Sequence, residues 1–170
     1  MDKQQLIKLK QLLKSRKLMV AAAESITCGH LQAALGSISG SSDYLAGGIT
    51  AYNLEQKTRL LQIDRDHALS VNCVSRQVAV EMAKAACVLF AADIGLSTTG
   101  YAEPSATYGI KTPLAYFAIC MRKADSIQRV ADGTVEGAGL GRVAMQLHVT
   151  QTVLETLLDY IENNEIFCDD

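Results

Sequence analysis

Residues 18–23 read LMVAAA, an apolar run without a charge or a polar interruption. A run this short and this continuous predicts a strand covered on both faces, because a half-exposed strand would alternate. The run stops abruptly at Glu24 and gives way to Ser25, Thr27, Cys28, Gly29 and His30. A buried strand that ends in so many hydrogen-bonding groups has either a capped helix or the lip of a site at its end.

The remaining pattern places helices around that strand. Leu6, Leu9 and Leu13 fall on one stripe within residues 3–16 and predict an amphipathic helix. A second helix is expected from Thr27 through Leu31, Ala34 and Leu35, ending near Gly36 or Gly40. YLAGGITAY (44–52) is a second strand whose paired glycines suggest a close approach. Short helices follow over 53–62 and 65–71. A longer one begins at Ser75, its expected N-cap, with Val78, Met82, Ala86, Leu89 and Phe90 on one face. DIGLSTTG (93–100) and PLAYFAICMR (113–122) are further strands, and 126–137 is an antiparallel edge strand. A last helix over 142–162 carries Leu147, Thr150, Leu154, Leu157 and Ile161 at helical spacing. Helices before, between and after the strands imply one α/β domain over residues 1–170, a three-layer α/β/α arrangement with a mixed sheet.

The 170 residues suit a single core, with 49% hydrophobic and 20% charged positions, the balance of a globular protein. A net charge of -2 gives no reason to expect nucleic acid as a partner. The basic residues Lys3, Lys8, Lys10, Lys14, Arg16 and Lys17 read as a solvated helix face. Five cysteines at 28, 73, 87, 120 and 168 form no C-x-x-C pair, and no signal peptide is evident. Reduced thiols in a cytoplasm are expected. No apolar stretch is long enough to span a bilayer, so no membrane association is expected. His30, His67 and His148 lack ligand spacing, so no metal site is expected.

Ligands of open α/β sheets bind beyond the carboxyl ends of the strands. Those ends hold Ser25, Thr27, Tyr52, Lys57, Thr98, Thr99 and Gly100, with Ser41 and Ser42 in a nearby SGSS loop. Taken singly, each has an ordinary role: a cap, a half-buried tyrosine, a solvated lysine, a packed cysteine. Their gathering at successive strand ends is what suggests a site. A helix starting near Thr27 would point backbone N–H groups at the crevice, favouring a phosphate or carboxylate.

AESITCG at 23–29 resembles the A-E-S-x-T-x-G signature of the C-terminal domain of the competence/damage-inducible protein CinA. The resemblance continues through SGSS (39–42), AYNLEQK (51–57), VS (74–75) with the V-A-x-E-M-A after it, ADI (92–94) and T-G-x-A-x-P (99–104). It runs in order over nearly the whole chain and implies a three-layer α/β/α domain. Several members of that family are nicotinamide mononucleotide amidohydrolases, which release ammonia to leave nicotinic acid mononucleotide. The resemblance therefore implies a pyridine nucleotide as small-molecule substrate, with no metal or organic cofactor. It implies Ser25 as nucleophile, Lys57 as its base and Tyr52 in a relay or substrate-binding role. It further suggests Thr27, Gly29, Ser41, Ser42, Thr99, Gly100 and Arg142 as substrate-binding residues. The amides of Thr27 to Gly29 would serve either an oxyanion or a phosphate.

Serine needs an activating base to attack an amide, and lysine serves only if its pKa falls toward neutrality. An amine within about 2.6–3.5 Å of the serine hydroxyl is the expected signature of such a dyad. Three features depart from the family pattern. Tyr101 replaces a smaller aliphatic residue, Glu103 stands where glycine is usual, and Gln146 takes the place of a second arginine. Both charge changes disfavour phosphate. They leave open a non-catalytic nucleotide-binding or interaction module, or an amidase for a substrate without phosphate. A homo-oligomer is compatible with the plentiful apolar helix faces.

Overall fold

The structure is a computed structural model that describes residues 1–124 and 126–164. Five strands, β1 (Val20–Glu24), β2 (Leu45–Thr50), β3 (Ile94–Tyr101), β4 (Leu114–Lys123) and β5 (Ser126–Glu136), form one sheet in the order β2-β1-β3-β4-β5. β1 pairs in parallel with β2 and β3, while β4 and β5 continue antiparallel. The helices are α1 (Lys3–Ser15), α2 (His30–Gly36), α3 (Leu54–Leu61), α4 (Arg65–Ser70), α5 (Arg76–Leu89) and α6 (Arg142–Asn163). The mixed α/β sheet and the three layers agree with the expectation from sequence.

Each residue of β1 is buried, and its side chains divide between two cores. Val20 and Ala22 pack with Leu9, Leu13, Leu31 and Leu35 on the α1, α2 and α6 side. Ala21 and Ala23 pack with Leu61, Ala68 and Met82 on the α3, α4 and α5 side. The strand is therefore covered on both faces, as its continuous apolar run predicts.

Small residues allow α5 to approach the sheet closely. A Cβ on Gly95 would lie 2.0 Å from the Ala83 carbonyl oxygen and 2.8 Å from the Cys87 sulfur. Ser97, two residues along β3, donates its hydroxyl to the Ala79 carbonyl at 2.6 Å. The glycines of β2 accommodate side chains: a Cβ on Gly48 would fall 2.4 Å from Gln32, and one on Gly47 2.9 Å from the Phe90 ring.

Three details of the helices differ from the expectation. α2 begins at His30 rather than Thr27, because Cys28 and Gly29 turn the chain through positive φ of 49° and 100°. Leu89 is half exposed, since the buried stripe of α5 drifts through Ala79, Ala83 and Cys87 and leaves it on the outer side. Leu147 is likewise half exposed, and Met145, Val149 and Val153 carry the buried stripe of α6. The lysines of α1 bear out a polar face, with Lys14 paired to Asp43 at 2.6 Å. Cysteines 28, 73, 87 and 120 are unpaired, and Cys168 lies outside the described residues.

The topology brings distant segments to one sheet edge. β1, β2 and β3 all end there; β4 starts there, with Leu114 opposite Tyr101. β5 also ends there, with Glu136 opposite Leu114, so α6 starts nearby at Arg142. Gly95→Ala is expected to lower unfolding stability by about 3 kcal/mol, the upper part of the range for overpacked cores, because its obstacle is helix backbone. Urea denaturation with an unchanged m-value would report this loss; unaltered stability would show that α5 is free to move off the sheet.

Candidate functional site

Strand alternation sends the two residues that close the first strand in opposite directions. Glu24 shares the face of Val20 and Ala22 and reaches α2. Ser25 continues on the face of Ala21 and Ala23 and reaches α3. The motif thus splits into a structural half and a half that borders a cleft.

The Glu24 carboxylate is fully buried and accepts five hydrogen bonds. Oε2 accepts from the Thr27 hydroxyl (2.6 Å) and the backbone N–H of Gly29 (2.8 Å) and Leu31 (3.1 Å). Oε1 accepts from the Gln32 backbone and side-chain amides, both at 3.0 Å. Five donors converge on it, the arrangement suited to an ionised carboxylate. Gly48 leaves the space in which Gln32 lies. Thr27 is completely buried, with its hydroxyl also 2.7 Å from that of Thr98.

This geometry corrects the expectation that the start of α2 offers its amides to a ligand. The N–H groups of Gly29, Leu31 and Gln32 are held by Glu24, so an internal anion sits where an external one was expected. Thr27 and Gly29 do not line the cleft described below. Ser41 and Ser42 do not line it either: they precede β2, whose first residue pairs with the first residue of β1, and so lie at the opposite sheet edge.

Ser25 opens into a cleft of about 470 Å³, within the usual range for small-molecule sites. Its opposite wall comes from α3. Asn53 caps that helix by accepting the Gln56 N–H at 2.9 Å, and Lys57 lies one turn in. The Ala51 N–H donates to the Glu24 carbonyl at 2.9 Å, extending the strand pairing and holding the 51–52 segment beside Ser25. Lys57 folds back into this corner and is only 1% exposed, a value that matters because water cannot then solvate its charge.

Lys57 Nζ lies 2.8 Å from Ser25 Oγ, 2.8 Å from the Ala51 carbonyl oxygen and 3.0 Å from that of Tyr52. The serine contact falls within the distance expected of a dyad. Burial pushes the lysine pKa down to about 8, with the nearby Cys73 acting in the opposite direction. Cys73 lines the same cleft, and burial raises its own thiol pKa against the pull of Lys57.

Tyr52 contributes its carbonyl to this corner, but its side chain does something else. Its hydroxyl accepts a hydrogen bond from Arg142 Nη2 at 2.8 Å, while Arg142 Nη1 donates to Glu103 Oε1 at 2.7 Å. Among the described residues no hydrogen bond joins the Tyr52 hydroxyl to Ser25 or Lys57, so its side chain stands at the cleft mouth and outside any relay. Glu103 does not stand alone facing the cleft but is paired. Thr99 and Gly100 line the cleft, with the Thr99 hydroxyl donating to the Cys73 carbonyl at 2.6 Å. Gly100 is required by the neighbouring strand, since a Cβ there would meet the Leu114 carbonyl oxygen at 2.4 Å.

Gln146 is not a vacant phosphate position. It is buried and donates its amide to the Ile26 carbonyl at 2.9 Å, tying α6 to the residue after Ser25. Sequence pattern alone did not show this role. The short helix over 53–62 was legible in the pattern, whereas its cap at Asn53 and the arrival of Cys73 and Asn72 at the cleft were not. Among the described residues no group of three His, Cys, Asp or Glu side chains could hold a metal ion, and no helix is long and apolar enough to cross a membrane.

Comparison with known proteins agrees with this architecture. The model of the CinA C-terminal domain family matches residues 3–161, and the chain belongs to that family. A competence-damage inducible protein of Streptococcus uberis is 32% identical over 148 residues, 87% of this chain and 35% of the relative. Another from Desulforamulus reducens is 38% identical over 109 residues, 64% of this chain and 26% of the relative. The matched region thus spans about a quarter to a third of those relatives. The crystal structure of a competence damage-inducible protein from Klebsiella pneumoniae superposes with a TM-score of 0.83 at 22% identity, covering 95% of this chain and 98% of that one. A CinA superfamily protein of Escherichia coli gives 0.79 at 25% identity, covering 91% and 87%.

Glu24→Gln is expected to lower stability by about 2–4 kcal/mol, since an amide presents donors where donors already converge. Chemical denaturation measures the loss. Wild-type stability in the variant would show that the carboxylate does not organise the loop.

Proposed function

For a chain of the CinA C-terminal domain family, we propose an amidohydrolase in which Ser25 attacks a carboxamide and Lys57 moves the protons. The substrate class is the nicotinamide nucleotides and nucleosides, with nicotinamide mononucleotide as the member implied by the family resemblance. The supporting observation is the set of three partners around Lys57 Nζ.

A neutral amine has two N–H donors and one lone pair. The carbonyls of Ala51 and Tyr52 take the two donors, which leaves the lone pair facing the Ser25 hydroxyl. An ammonium has three donors and finds three acceptors in the same places. Both protonation states fit one geometry, so a proton crosses between oxygen and nitrogen without rearrangement of the corner. The site is preorganised for that transfer.

As Ser25 Oγ bonds to the carboxamide carbon, its proton passes to Lys57. The carbonyl π electrons move to oxygen, giving a tetrahedral oxyanion. Collapse of that oxyanion breaks the C–N bond, and Lys57 returns the proton to the departing nitrogen, which leaves as ammonia. Water then attacks the acyl-serine ester, giving a proton to Lys57 and leaving the carboxylic acid; Lys57 reprotonates Ser25. The sequence consumes one water and draws on side chains already in place. A cytoplasmic setting, where thiols stay reduced, suits the four cysteines that are unpaired among the described residues.

Ammonia release from nicotinamide mononucleotide and nicotinamide riboside tests the proposal. Ser25→Ala is expected to reduce release at least about 1,000-fold while the protein stays folded. Wild-type kcat/KM is expected to rise about tenfold per pH unit below 8 and to level above it, because only neutral Lys57 accepts a proton. Full activity in Ser25→Ala would remove the nucleophile from the mechanism. Saturable binding of both compounds by the wild type without product would replace catalysis with a binding module.

A further inference from the structure

We infer that Glu103 determines substrate selection by occupying the cleft's exposed cation, so that the site favours carboxamides lacking a phosphate. The inference rests on the amidohydrolase reading for its ligand class and on the cleft mouth for its direction.

Among the described cleft-lining residues, Lys57 and Arg142 are the cations. Lys57 is buried, and all three of its hydrogen bonds are to protein groups. An anionic substituent that reaches the mouth therefore has Arg142 to recognise it. Arg142 is already held on both arms of its guanidinium: Nη1 donates to Glu103 Oε1 and Nη2 to the Tyr52 hydroxyl. These partners come from three segments, after β2, after β3 and at the start of α6, so the fold itself assembles the clamp.

Arg142 is 45% and Glu103 58% exposed, so their bond contributes little to the stability of the fold. Its effect is on charge. With Glu103 present the mouth is close to neutral, and a phosphate must approach Arg142 beside a carboxylate. A substrate that ends in hydroxyl groups meets no such repulsion. The neighbouring aromatic wall, Tyr101 and Tyr108 with ring centroids 5.6 Å apart, is indifferent to that charge.

The test compares nicotinamide riboside with nicotinamide mononucleotide, which differ by one phosphate, in the full chain and in Glu103→Gln. The wild type is expected to show the higher kcat/KM with the riboside. Glu103→Gln is expected to raise kcat/KM for the mononucleotide about tenfold through KM, the effect of removing one nearby like charge. Both parameters for the riboside should stay within about twofold, a split that general loosening of the fold would not produce. Calorimetric titration of both compounds into Ser25→Ala and Ser25→Ala/Glu103→Gln separates selection from chemistry. Tighter mononucleotide binding on loss of the charge, without turnover in the wild type, would uphold the role of Glu103 and end the amidohydrolase reading. Stronger wild-type preference for the mononucleotide, an unchanged preference in Glu103→Gln, or no binding of either compound would overturn the inference.

Discussion

A lysine amine removed from water, with two backbone carbonyls and one serine hydroxyl as its partners, is the contact on which the proposed chemistry depends. Burying a charge is costly unless its donors are satisfied, and Lys57 is satisfied in either protonation state. Desolvation brings its pKa to about 8, so a base is available close to neutral pH. The surrounding protein can be understood as the scaffold that keeps this amine dry and this hydroxyl within reach. β1 supplies Ser25 from the strand end, and the capped start of α3 supplies Lys57.

The same short motif supplies its own foundation. Glu24 gathers the backbone of Gly29, Leu31 and Gln32 and the hydroxyl of Thr27, which fixes the turn after Ser25 from below. Gln146 holds the Ile26 carbonyl from the side. A helix start that would otherwise attract a ligand anion is thereby committed to holding the loop. The exposed cation of the cleft lies on its opposite side, where Arg142 is shared between Glu103 and Tyr52.

Much of the scaffold was legible in the sequence because it follows from local pattern. The unbroken run at 18–23, the helical stripes and the cap at Ser75 each report on residues near in sequence. The approach of Ser25 to Lys57 was not readable from spacing; it was an implication of the family resemblance. Thr27 and Gly29 were misjudged because a helix N-terminus was taken to face a ligand, whereas Glu24, in the same motif, already filled it. Ser41 and Ser42 looked close to the strand ends but lie at the other edge, since position along the sheet depends on pairing register. Glu103 and Gln146 were read as isolated charge changes. Their partners, Arg142 and the Ile26 carbonyl, are 39 and 120 positions away.

The proposed chemistry turns on the protonation of one nitrogen. Following the Cε resonance of Lys57 by carbon NMR in protein with labelled lysines, across pH 6 to 11, measures it directly. A midpoint near 8, well below the unperturbed lysine value of 10.5, is the result this account requires. A midpoint at or above 10 would mean that Lys57 stays charged at neutral pH and cannot be the base for Ser25.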